Sequence, residues 1–127
     1  MENEDLLWAG IPFMGGIGSQ QQAPCGAVTA AAIVLGLRYR CSLSDRAGAK
    51  KARNTVRYYA GKLVDAFSLE FGDITCIGLL GIDFSKQGEY KKFIQSLMWK
   101  DKCERYLQFI IEKLYEFEDE RGNILTI

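Results

Sequence analysis

The sequence predicts an all-α fold: a compact bundle of about four to five helices around a buried central helix near residues 24–38. Three observations carry this. Apolar residues recur at spacings of three and four through most of the chain, while few windows alternate with period two. Polar caps and glycine stops punctuate the chain at helical intervals. The chain has 127 residues, 48% of them hydrophobic and only two of them proline, which suits one globular core. Residues 1–127 therefore read as a single helical domain without internal repeats.

The elements follow in order. Leu6, Leu7 and Trp8 fit a short helix that breaks at Gly10. Gly15, Gly16 and Gly18, followed by Ser19-Gln20-Gln21-Gln22, form the least regular stretch. From Pro24 to Leu37 the chain is apolar on every side, with Ala27, Ala30, Ala31 and Ala32 beside Val28, Ile33 and Val34, the pattern of a buried helix. Pro24 suits its first turn, where a missing N–H costs nothing. Ser44 or Asp45 caps the next helix, which runs to Phe71 and stops at Gly72. Val56, Ala60, Leu63, Phe67 and Phe71 supply its core face. Asp73 caps a short helix from Ile74 to Leu80, closed by Gly81. Ser85 opens another around Tyr90, Phe93, Ile94 and Leu97. Asp101 caps the last helix, with Glu104 in a capping-box position and a stripe of Leu107, Ile110, Ile111, Leu114 and Phe117.

Composition excludes several chemistries. There is no histidine, which removes His-based nucleophile systems, His-containing zinc sites and histidine pH switches. Sixteen basic and sixteen acidic residues cancel, so no global field draws the chain to nucleic acid or to an anionic membrane. The apolar run from Gly26 to Leu37 is too short to cross a bilayer. The opening residues are acidic where a targeting peptide would be basic, so a cytoplasmic location is expected. In that compartment four cysteines are better explained as free thiols, metal ligands or redox groups than as structural disulfides.

Cys25, Cys41, Cys76 and Cys103 include no C-x-x-C pair. Cys25, Cys76 and Cys103 each fall in the first turn of an expected helix, where free N–H groups and the macrodipole would lower a thiol pKa. Any one buried cysteine is most simply a small hydrophobe. Three so placed form a pattern and make a shared thiol site. Cys41, in a loop after Arg38-Tyr39-Arg40, reads as peripheral.

At these residues the chain resembles a family of redox-active proteins named for the cysteine pattern C_GCAxxG_C_C. The resemblance rests on Gly15-Gly16-Ile17-Gly18, then Cys25-Gly26-Ala27-Val28-Thr29-Ala30, then Leu35-Gly36-Leu37-Arg38-Tyr39. It continues with Phe71-Gly72, Thr75-Cys76, Leu79-Leu80-Gly81 and Cys103, and covers about residues 6–117. It implies a small helical domain with a redox or metal-cluster role, in which Cys25, Cys76 and Cys103 match family cysteines. Two departures stand out. Ala30 replaces the motif's last glycine. A further family cysteine, on a helix upstream of the glycines, has no counterpart, so that N-terminal helix is expected to be missing.

The expected function is redox or electron-transfer work, or iron–sulfur or metal binding, through Cys25, Cys76 and Cys103. Gly15, Gly16, Gly18 and Gly26 would shape the thiol pocket. A cluster takes about four thiolates, so Cys41 or a second chain would have to complete the set. Zinc is the weaker alternative, because the ligands are not locally paired. Without metal, Cys25 is the first choice as attacking thiolate, with Cys76 or Cys103 resolving. The alternative is a non-catalytic helical interaction domain with remnant cysteines. An electron-transfer protein and a second copy of the chain, in a dimer, are the expected partners.

Weaker signals have plain readings. The glycine run lacks the lysine of a P-loop and fails the G-x-G-x-x-G spacing at Gln21. Arg46, Lys50, Arg53 and Arg57 share a helical face that reads as solvated. Without interleaved aromatics they do not indicate nucleic acid. Trp8, Trp99, Tyr58 and Tyr59 read as packing residues.

Overall fold

The computed structural model describes residues 3–126, and the side chains of residues 3–120. Helix α1 spans Asn3–Gly10, followed by a 3-10 turn at Ile11–Phe13. Helix α2 spans Gly26–Arg38, α3 Arg46–Phe71, α4 Cys76–Leu80 and α5 Glu89–Gln95. A π-helical turn, Trp99–Cys103, runs directly into α6, Glu104–Thr126. The described residues contain no strand; a single antiparallel bridge pairs Pro24 with Thr75. None of the described helices is long and apolar enough to cross a membrane. The fold class is thus the expected one, with more short helices.

Helices α2, α3 and α6 pack against one another in all three pairings and hold the core. Leu35, Leu63 and Phe67 lose all solvent contact there, with Ala31 and Ile110 nearly so. An aromatic group fills the α3–α6 seam: Phe67, Phe71, Tyr106 and Phe109 meet mostly edge-to-face at centroid distances of 4.8–6.0 Å. Helix α3 has the boundaries its sequence signals promised. Asp45 accepts from the Gly48 amide at 3.0 Å, and Gly72 closes the helix with φ +83. The Arg38 guanidinium donates to the Leu114 carbonyl at 2.9 Å, tying the end of α2 to α6.

Several expectations are corrected. Helix α2 is not buried all round: Val28, Ala31 and Leu35 face the core, while Ala30 and Val34 are exposed. Residues of α1 and the 3-10 turn, among them Leu7, Ile11 and Phe13, line the opposite wall of a hollow of about 490 Å³ without closing over that flank. The buried stripe of α6 is Tyr106, Ile110 and Phe117, whereas Leu107 and Ile111 are exposed. The Tyr106 hydroxyl donates to the Leu79 carbonyl at 3.1 Å, and this bond together with the aromatic seam sets the rotation of α6. Ser85 caps no helix; it donates to Asp83 within a turn, and α5 begins after Gly88. Of the aromatics read as packing residues, Tyr59 is buried, but Tyr58, Trp8 and Trp99 are exposed. Arg46, Lys50, Arg53 and Arg57 are all solvated, as read.

Because Phe67 is fully buried at the centre of the seam, Phe67→Ala should cost about 3–5 kcal/mol. Denaturant unfolding of the variant checks this, and a loss under about 1 kcal/mol would show that the seam is not the core.

Candidate functional site

The glycine segment forms one left-handed turn. Gly15, Gly16, Ile17, Gly18 and Ser19 all have φ between +59 and +66. This region suits glycine but costs other L-residues about 1–2 kcal/mol each. Long-reach bonds hold the turn: the Gly18 amide donates to the Pro12 carbonyl at 2.8 Å and the Gln21 amide to the Gly15 carbonyl at 2.9 Å. Gly16 is needed for space as well as conformation, because a Cβ there would lie 2.7 Å from the Ala23 carbonyl oxygen. Gly26 gives the 3-10 turn room, since its Cβ would meet the Phe13 carbonyl oxygen at 3.3 Å. The turn delivers Gln21, itself at φ +64, into the interior with only 1% of its surface exposed.

Two backbone bonds then clasp the starts of α2 and α4 together. The Cys25 amide donates to the Ile74 carbonyl at 2.6 Å, and the Cys76 amide donates to the Ala23 carbonyl at 3.3 Å. They flank the Pro24–Thr75 bridge, so Cys25 and Cys76 are diagonal neighbours across it. Such neighbours have Cα atoms about 7–8 Å apart and Cβ atoms somewhat closer. That is outside the separation of about 4.4–6.8 Å that a disulfide spans, so a bond between the two sulfurs requires the backbone to move. Cys103, at the end of the π-helical turn, packs against the same core cluster. All three thiols are free and lie close enough that charge on Cys25 and Cys76 raises the pKa of Cys103.

The structure corrects the expectation that helix starts acidify these thiols. Burial pushes Cys25 up, opposed by the backbone amides of Ala27 and Val28. Burial also pushes Cys76 up, opposed by the Gln21 side chain, while charge on Cys25 adds to the rise. Cys103 is pushed from 9.0 to about 11, first by burial and then by charge on Cys25 and Cys76, with Lys102 opposing. The local reasons are visible in the backbone. Cys25 is the N-cap of α2 rather than a residue of its first turn. Thr75, not Asp73, caps α4, and the amides at its start are already used by Ala23, Gln21 and the Thr75 hydroxyl. Cys103 is not at a free helix start at all, because Asp101 lies inside the π-helical turn and caps nothing.

The donor set was tested against the expected metal or cluster. Among the described residues, no group of three His, Cys, Asp or Glu side chains is disposed to hold a metal ion. Cys41 supplies no fourth ligand: it is exposed and lines a separate hollow with Gly36, Leu43 and Val56. The three converging cysteines, of which only Cys76 is fully buried, are one short of the about four thiolates that a cluster usually takes. Sequence reasoning missed Gln21, which lies in a run of three glutamines within the least regular stretch. In the structure its burial, its positive φ and its side-chain bonds separate it from Gln20 and Gln22, but nothing in the run marks which of the three turns inward.

Two outcomes follow. Gly16→Ala should destabilise the chain by about 1–3 kcal/mol, whereas Gly10→Ala, with open space at its Cβ, should not; equal denaturation midpoints would contradict the close approach. Thiols held protonated stabilise the fold fully below their unfolded value, and that contribution disappears as pH rises through the folded value. The melting temperature should therefore hold to about pH 9 and fall towards about pH 11, less steeply in Cys103→Ala. A profile in that window unchanged by the substitution would contradict the assignment.

The family model described as "Putative redox-active protein (C_GCAxxG_C_C)" matches residues 1–117. No curated protein and no solved structure gives a significant match. A left-handed glycine turn, a cysteine at the cap of α2 and two more cysteines brought beside it are the features that the match spans, and the chain belongs to the C_GCAxxG_C_C family.

Proposed function

We propose that this protein is a thiol–disulfide redox module in which Cys25 and Cys76 exchange an electron pair with the disulfide of a partner protein. The observation that supports this most is convergence: cysteines separated by dozens of residues meet at the clasp between α2 and α4. Remnant cysteines in an interaction domain would have no reason to stay together.

In the forward direction the Cys25 thiolate attacks one sulfur of the partner disulfide. A Cys25–partner mixed disulfide forms and the other partner sulfur leaves as a thiolate. The Cys76 thiolate then attacks the Cys25 sulfur and expels the second partner thiolate. The Cys25–Cys76 disulfide closes, two electrons pass to the partner, and the protons lost by the two cysteines end on the partner's two thiols. Cys25 takes the first role because it is the more accessible of the two and because the Ala27 and Val28 amides favour its anion. Cys76, only 7% exposed, takes the second. Cys103 holds its proton most tightly and serves as a neutral neighbour. The glycine turn shapes the pocket through Gln21, and Gly26 keeps the start of α2 close to the 3-10 turn.

The reduced chain treated with a small aromatic disulfide should lose two hydrogens, and peptide mapping should find Cys25 joined to Cys76. Cys25→Ser should abolish that link, and Cys76→Ser should stop at the mixed disulfide. Oxidation unchanged in Cys25→Ser would sink the assignment. Iron with acid-labile sulfide in protein purified without air would replace it with a cluster carrier.

A further inference from the structure

We propose that Gln21 is the positioning residue for Cys76: its side-chain amide fixes the Cys76 sulfur and stabilises it as the resolving thiolate. The inference rests on the thiol–disulfide reading above and assigns a role within it.

The geometry leaves the Gln21 amide one orientation. Its Oε1 accepts from the Phe84 backbone amide at 2.7 Å, and its Nε2 donates to the Ile82 carbonyl at 2.8 Å. A backbone amide only donates and a carbonyl only accepts, so oxygen and nitrogen cannot exchange places. One N–H of Nε2 remains, and it is directed at the Cys76 Sγ, 3.7 Å away. With three bonds the side chain is satisfied at 1% exposure, and swinging elsewhere would strip the part-buried Ile82 carbonyl and Phe84 amide of this partner. The Gln21 carbonyl also accepts from the Ile77 amide at 3.1 Å, so main chain and side chain grip the start of α4 together.

This donor matters because the usual ones are absent. The amides at the start of α4 are directed to Ala23, Gln21 and the Thr75 hydroxyl, which leaves the sulfur without a helix-start N–H. A neutral thiol is a weak acceptor and a thiolate a strong one, so the Nε2–H bond strengthens as Cys76 ionises. Gln21 accordingly opposes the upward push of burial on Cys76. A hydrogen bond to an ionised group raises the thiolate fraction about ten- to a hundredfold. The accompanying loss of nucleophilicity removes nearly half of that on a logarithmic scale, which leaves a rate gain of about three- to tenfold.

The test uses the full chain in a Cys41→Ser background, because Cys41 is exposed and would react independently. With 5,5′-dithiobis(2-nitrobenzoate) in excess, the first chromophore release reports attack by Cys25 and the second reports resolution by Cys76. Gln21→Met should slow the second release about three- to tenfold, leave the first within about twofold, and move the pH midpoint of the second step upward. Equal slowing of both releases, or of neither, would overturn the role of Gln21. If the parent shows no second release, the thiol–disulfide reading fails and takes the inference with it, a result distinct from a Gln21 failure. Should Gln21→Met not fold, Gln21→Glu keeps the acceptor for Phe84 and should slow the same step. In the unsubstituted chain, the Gln21 side-chain amide resonances should move when the disulfide forms; resonances indifferent to oxidation would refute the contact.

Discussion

The site depends on the two-bond clasp between α2 and α4. The Cys25 amide on the Ile74 carbonyl and the Cys76 amide on the Ala23 carbonyl are the points where distant parts of the chain are pinned residue against residue. Each such bond contributes only about 0.5–1.5 kcal/mol net, yet leaving these partly buried groups unpaired would cost more. The clasp therefore fixes register: it decides which side chains of the two helix starts share a face. The packing of α2 on α3 and α6 supplies the stability that this small feature spends on position.

Two electrostatic effects compete at the thiols, and burial wins. Helix starts favour anions by about 0.3–1 kcal/mol at exposed positions, and only where their amides are free. Here the five-residue α4 has its first amides occupied, and Cys103 lies in continuous helix. Desolvation, the largest effect on all three cysteines, outweighs the donors and the charge that oppose it and pushes each thiol upward. What ionisation remains is governed by a few aimed N–H groups. Local donors, rather than helix placement, distinguish one cysteine from another.

The legibility of the sequence follows from the range of the interactions concerned. The boundaries of α3 are set by Asp45 and Gly72, which act within a few residues, and they were readable. Cys25, Cys76 and Cys103 were set apart from Cys41 by their expected helix-start positions and by the family resemblance, and the structure packs these three against one core cluster while Cys41 lies apart. The buried face of α6 was readable only in part: Ile110 and Phe117 belong to it as expected, but Tyr106 does so through a partner, Leu79, 27 positions away. Gln21 was the least legible of all. Its partners Ile82 and Phe84 lie 61 and 63 positions away, and a glutamine among glutamines gives no sign of them.

The turn at Gly15–Ser19 has a consequence for how the site is held. All five residues sit in the left-handed backbone region, which D-amino acids would occupy more comfortably than the residues that genetics provides. Glycine, which has no handedness, is the nearest substitute, and it fills three of the five places. Ile17 and Ser19 are held against their own chirality. The turn is held by bonds to Pro12, Phe13 and Met14 outside it, so whatever loosens those bonds also moves the glutamine that it delivers.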